Sequence, residues 1–166
     1  MAKITLKGNP CNTSGALPSI GTSTPDFKLV AGDLSEKSLA DFAGKKVVLN
    51  IVPSLDTPVC GLSAKTFNEK VGGHHQAMII NISKDLPFAQ KRFCESNQVD
   101  HVSNLSAFRC DQFGNDYGVT IVDGPLKGLL ARAIVVIDES GKVVHNELVP
   151  EIAQEPNYDA ALKAIG

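Results

Sequence analysis

The order of elements legible in the sequence predicts an α/β fold, with a central mixed β-sheet, helices on both faces and a β extension at the N-terminus. Three observations carry this expectation. Two near-continuous apolar runs, "KKVVLNIV" and "QAMIINIS", have the pattern of strands buried on both faces. Each is followed by a segment of helical period, one after Pro58 and one in "LPFAQKRFCESNQ". The chain then closes with a hairpin pattern and a last helical segment, and strand, helix, strand, helix, hairpin, helix is an α/β order.

Taken in order, "KITLKG" alternates like a strand, and "PDFKLVAGD" reads as a second strand closing in a turn. Ser38 to Phe42 has the length of a short helix ending at Gly44. The first buried strand follows, and after Pro58 the residues Cys60, Ala64, Phe67 and Val71 share one helical face. Gly72 and Gly73 end that helix. "QAMIINIS" is the second buried strand, and in the next helix Leu86, Ala89 and Phe93 are expected to face inward. A weaker segment runs through "FGNDYGV". "LLARAIVVID", "ESGK" and "KVVHNELV" form a hairpin, and "PNYDAALKAI" is the closing helix. A β-α-β unit followed by β-β-α is the arrangement of the thioredoxin fold.

At 166 residues, with 43% hydrophobic residues and neither an internal repeat nor a linker, the chain is expected to be one domain over 1–166. A net charge of −2 gives no basic excess of the kind that phosphate-backbone binding needs, so nucleic acid is not an expected partner. "MAKITLKGNPCN" lacks the apolar stretch of a secretory signal, and no apolar run reaches the roughly 18 residues of a membrane span. The expected compartment is the cytoplasm. Four cysteines there are core residues, metal ligands or reactive thiols rather than a disulfide framework.

Cys60 stands out by its address. Thr57 suits an N-cap and Pro58 the first helical position, which puts Cys60 in the first turn. The free N–H groups and the positive end of the helix dipole favour a thiolate there. The competing reading is a small core residue, since Cys60 aligns with Ala64 and Phe67. The "TPVC" spacing carries Thr57 where a Cys-x-x-Cys motif has its first thiol, so any redox partner lies elsewhere.

Cys94, on the second helix, shares a stripe with Gln90, Lys91, Asn97 and Gln98, and reads as polar and accessible, which favours function over packing. Cys11 in "GNPCNTSG" and Cys110 in "FRCDQFG" read as structural or incidental. No two cysteines have the close spacing of a structural zinc site. His74 and His75 read as loop residues, and His101 and His145 have no catalytic context, although a Cys–His pair formed in space stays open. Arg132 lies in an apolar strand beside Leu130, Ile134 and Val136 and needs an anionic partner. Either it bridges to a carboxylate or is exposed at the strand's end, or its anion is the Cys60 thiolate or a bound oxygen substrate.

"PSLDTPVC" matches, through Pro53, Thr57 and Cys60, the Pro-x-x-x-Thr-x-x-Cys motif of peroxiredoxins. The chain resembles more closely the bacterial thiol peroxidases, the atypical two-cysteine branch. The resemblance runs from "KGNP" through "DLPFAQKRFC" and "DGPLKGLLARAIVVID" to "EPNYDAAL". It implies a thioredoxin fold, a homodimer, no metal or organic cofactor, a hydroperoxide substrate and thioredoxin as reductant. It also implies that Cys60 is peroxidatic and Cys94 resolving, joined as an intrachain disulfide after oxidation. Thr57 would bond the thiolate and peroxide, Pro53 would shield the pocket, and Arg132 would be the family's active-site arginine. Cys11 and Cys110 depart from the family pattern. The alternative is a redox switch that forms the same disulfide with little turnover.

Overall fold

The computed structural model describes residues 1–71 and 77–166. Strands β1 (Lys3–Leu6) and β2 (Asn9–Asn12) form an antiparallel hairpin. Its turn residues Lys7 and Gly8 have φ of 50° and 82°, as a two-residue turn between right-twisted strands requires. The segment around Cys11, "GNPCNTSG", is turn-like in composition. It pairs instead as β2, because Pro10 costs nothing on a strand of a two-stranded ribbon whose N–H is not needed.

Seven further strands make the central sheet: β3 (Lys28–Ala31), β4 (Glu36–Ser38), β5 (Lys46–Ile51), β6 (Ala77–Ser83), β7 (Val102–Ser106), β8 (Ala133–Ile137) and β9 (Val143–Leu148). Their order is β4-β3-β7-β6-β5-β8-β9. Pairs β5–β6 and β6–β7 are parallel, whereas β8, β9, β3 and β4 are added antiparallel, so the sheet is mixed. Two of these strands, β4 and β7, carry too few apolar residues to be legible in the sequence.

The centre of the sheet is dry. Val47, Val48, Leu49 and Ile51 of β5 are buried, at about 1.5–3 kcal/mol of apolar burial for each such side chain. Helices α1 (Pro58–Val71), α2 (Pro87–Asn97) and α4 (Tyr158–Ile165) lie on one face. Phe67 of α1 and Ala161 and Ile165 of α4 pack there on Val48, Ile79, Ile134 and Val136. On the other face the short α3 (Asp111–Asp116), with Phe113 and Tyr117, and the N-terminal hairpin, with Ile4 and Cys11, cover Leu49, Ile51, Ile80 and Val135. Leu39–Phe42 forms a 3₁₀ turn where a short helix was expected.

Gly72, Gly73, His74 and His75 lie outside the described residues. Among the described residues no helix is long and apolar enough to cross a membrane.

Candidate active site

The strand β5 stops at Ile51, and Val52 to Thr57 cross to the start of α1 over the end of the sheet. Asp85, in the turn before α2, holds this crossing. Its carboxylate accepts from the Leu55 backbone N–H at 2.8 Å, the Ser54 hydroxyl at 2.6 Å and the Ser83 hydroxyl at 2.7 Å. Thr57 stands at the N-cap position, and its carbonyl accepts the first helical bond from the Gly61 N–H at 3.0 Å. Its hydroxyl donates to the Ser54 carbonyl at 2.9 Å, closing the loop on itself. Pro53 is buried in the same loop. Pro58 opens the helix, and Cys60 falls in its first turn.

Cys60 is fully buried among Val52, Leu55 and Ala64, with Phe93 of α2 packed against them. Its setting combines both readings drawn from the sequence. It packs as a core residue on the α1 face with Ala64 and Phe67, and its sulfur also has a charged neighbour. The Val71 side chain lies outside the described residues. Arg132, immediately before β8, donates from Nη2 to Cys60 Sγ at 3.2 Å and from Nε to the Ile152 carbonyl at 2.8 Å. Arg132 is 1% exposed, and among the described residues its Nη1 has no hydrogen-bond partner. No ion pair among the described residues includes Arg132. Of the two partners expected for this arginine, the sulfur is the one present. A buried cation with a free donor beside a sulfur is a site for an electron-rich oxygen, because an unpaired buried N–H is otherwise expensive.

The second helix corrects the sequence reading. Leu86 is 50% exposed, whereas Pro87 and Gln90 are buried. Phe93 packs inward as expected, whereas Leu86 and Phe88 point outward and the buried Gln90 makes the adjoining inward stripe polar. Gln90 Nε2 donates to Ser83 Oγ at 3.1 Å and to the Leu105 carbonyl at 3.0 Å. Cys94 lies on that stripe and is half-buried rather than openly accessible. Its sulfur accepts from Asn104 Nδ2 at 2.9 Å and forms part of the wall of an open cavity of about 600 Å³. Burial pushes the Cys94 thiol up from its ordinary range, with Glu95 adding to this and the Asn104 bond opposing it.

The structure therefore joins Cys60 to Arg132 and sets Thr57 and Pro53 on the adjoining loop, with Cys94 apart on α2. All four cysteines are free. Cys11 is buried in the hairpin, its thiol pushed up by burial and then by Asp123 and Glu151. Among the described residues no three His, Cys, Asp or Glu side chains are grouped to hold a metal ion. Among the described residues the side chain bonded to the Cys60 sulfur is Arg132, and neither His101 nor His145 bonds it. Sequence reasoning missed Asp85. Its signal was an Asp in "SKDLP", between a strand and a Pro-started helix, where a carboxylate commonly collects loop N–H groups.

Residues 19–162 match the Redoxin family model. The chain is 58% identical to a thiol peroxidase of Mycobacterium tuberculosis over 166 residues, covering 100% of this chain and 99% of that one. It is 49% identical to a thiol peroxidase of Corynebacterium glutamicum, covering 99% of each. The crystal structure of a peroxiredoxin-like protein from Aquifex aeolicus, 44% identical, superposes with a TM-score of 0.93 over 99% of this chain and 96% of that one. A shared fold, full-length similarity and a first-turn cysteine under an arginine agree: this chain belongs to the Redoxin family, among its thiol peroxidases.

Proposed function

We propose that this protein is a thiol-dependent peroxidase that reduces hydrogen peroxide and organic hydroperoxides. The observation that carries the reading is the Cys60–Arg132 contact at 3.2 Å, with no partner for Arg132 Nη1 among the described residues. The Cys60 thiolate attacks the terminal oxygen of the hydroperoxide. An S–O bond forms, the O–O bond breaks, and the departing oxygen takes a proton to leave as alcohol or water. Arg132 holds the peroxide in line and stabilises charge on the leaving oxygen. The Thr57 hydroxyl, whose proton goes to the Ser54 carbonyl, accepts from the hydroperoxide O–H, and buried Pro53 keeps water from the sulfur.

Cys94 then attacks the sulfenic sulfur, closing an intrachain disulfide with loss of water. Phe93 is the α2 residue packed on the Cys60 cluster, and its ring lies against Gly61, while Cys94 bonds Asn104. Successive helical residues are about 100° apart around the axis, so α2 must unwind locally before the sulfurs meet. Thioredoxin reduces the disulfide by thiol–disulfide exchange in the reducing cytoplasm. The enzyme works as a homodimer. Leu86 and Phe88, exposed on one shallow recess at the start of α2, are the kind of apolar surface that a second copy covers.

The test is one equivalent of hydroperoxide added to reduced protein, followed by intact mass and peptide mapping, and then turnover with thioredoxin. A product about 2 Da lighter with Cys60 joined to Cys94, and consumption of many equivalents, is expected. Consumption that stops at one equivalent despite thioredoxin would leave a redox switch in place of an enzyme. In Cys94→Ser the first oxidation of Cys60 persists and recycling is lost.

A further inference from the structure

Three strands of the sheet each carry an asparagine at matched register on the helix-covered face. Asn50 of β5 pairs with Asn81 of β6, and Asn81 with Asn104 of β7. Asn50 and Asn81 are fully buried. Their side chains form a continuous chain of bonds. Ser63 Oγ donates to the Cys60 carbonyl at 2.9 Å, and Asn50 Nδ2 donates to Ser63 Oγ at 3.3 Å and to Asn81 Oδ1 at 2.9 Å. Asn81 Nδ2 donates to Asn104 Oδ1 at 3.1 Å, and Asn104 Nδ2 to Cys94 Sγ at 2.9 Å. A carbonyl only accepts, so the Cys60 end dictates the direction of every amide in the row. The unpartnered Asn50 Oδ1 is what that polarity leaves behind, and the N–H that emerges at the other end is aimed at the Cys94 sulfur.

A buried amide row of this kind gains little as packing, since three apolar side chains would fill the same space without an orphaned acceptor. What it supplies is a donor of fixed orientation at one thiol. A thiolate accepts such a bond far better than a thiol. We propose that Asn104 is a positioning residue for disulfide formation, held by Asn81 and Asn50 so that its amide N–H keeps the Cys94 sulfur on α2 in the thiolate form that attacks once local unwinding releases it. The inference rests on the reading of Cys94 as the resolving cysteine. In the step concerned, Cys94 loses its proton, and its sulfur bonds to the sulfenic sulfur of Cys60. The S–O bond breaks, and the hydroxide released takes up a proton as water. Cys60 enters the step already oxidised by the peroxide, and no other oxidant is needed.

The charged side chains on the cavity beside Cys94 are Lys91, Glu95 and Asp100, and the parts of its wall supplied by β3 and β7 are uncharged. The local field is therefore mixed, and Asn104 is the group in direct contact with the sulfur. Burial raises the Cys94 thiol and the Asn104 bond works against it.

The experiment compares the parent with Asn104→Asp and Asn104→Ala. The aspartate keeps an acceptor for Asn81 but presents an oxygen to the sulfur, and the alanine removes the donor and lets water in from the cavity. Iodoacetamide alkylation of Cys94 in the reduced chain is followed by peptide mapping against pH. The rate of Cys60–Cys94 bond formation is followed by acid quench after one equivalent of hydrogen peroxide. Both variants should move the Cys94 alkylation profile to higher pH, the aspartate further. Both should close the disulfide about tenfold more slowly at neutral pH, as loss of a bond to a charged group implies, with unchanged oxidation of Cys60. An unmoved profile, or a disulfide formed at the parent rate or faster, overturns the inference. Slower closure without a moved profile does so too, since it would mark a merely structural residue. Failure of the underlying reading looks different: the parent itself would then form no Cys60–Cys94 bond.

Discussion

Arg132 and Cys60, 72 residues apart in the chain, meet at 3.2 Å in a space from which water is excluded. The contact depends on two independent anchors. The end of β5 and Asp85 set the loop that starts α1, while the Ile152 carbonyl fixes the guanidinium from the side of β9. Neither partner has a carboxylate to neutralise it among the described residues, so the arginine is oriented for an anion that arrives during the reaction.

Replacing Arg132 by Met separates these roles. The substitution keeps much of the side-chain volume and removes the charge together with its orphaned Nη1. Loss of one donor at a developing oxyanion should lower kcat/KM for hydroperoxide by about 10²–10³-fold. Stability should be unchanged or slightly higher, because a buried charge without an ionic partner is replaced by an apolar chain. Steady-state peroxide consumption and thermal unfolding of the same preparation check both halves. A large loss of stability would mean that Arg132 serves the fold first.

Asp85 touches no reacting atom, yet three groups of the Cys60 loop and its neighbouring strand end depend on it. In Asp85→Ala the Leu55 N–H and two serine hydroxyls lose their acceptor, at about 1–3 kcal/mol for a buried group left unpaired. The expected outcome is a lower unfolding midpoint and a slower first oxidation of Cys60, with Cys94 alkylation little changed. Denaturant unfolding and single-turnover oxidation measure these separately.

What the sequence made legible follows from how its residues are used. The α1 face of Cys60, Ala64 and Phe67 was readable because its apolar residues do turn inward. The α2 face was readable only in part: Phe93 turns in onto the Cys60 cluster, but Leu86 is at the surface while Gln90, an amide, is inside and bonded on two sides. Amphipathic period identifies an inward face only when burial is apolar. β7 escaped notice because "VSNLS" offers packing only one apolar residue on each face, Val102 and Leu105, while Asn104 bonds. The motif around Cys60 located the nucleophile. The single polar residues within β5 and β6 were visible, but nothing in their spacing says that they are in register with one another across the sheet.

Glu151 provides a prediction about pH. Its carboxylate accepts from the Ala153 N–H, the Gly8 and Lys7 N–H groups of the hairpin turn and the Thr5 hydroxyl, which hold its pKa down to about 2. The hairpin is thereby tied to the segment whose next residue, Ile152, holds Arg132. An unfolded glutamate titrates near about 4.3, so the folded-state value is the lower of the two. The stability it contributes is complete above about pH 4.3 and is lost as pH falls toward about 2. In Glu151→Gln this dependence should vanish, because an amide does not titrate. Urea unfolding midpoints at pH 6 and near pH 3 should therefore fall more steeply in the parent than in the variant. At neutral pH the variant should be the less stable of the two, since one amide oxygen cannot accept all four bonds. Parallel midpoints across that range would mean that the backbone bonds to Pro150 and Ile152, and not the Glu151 carboxylate, hold this side of the hairpin.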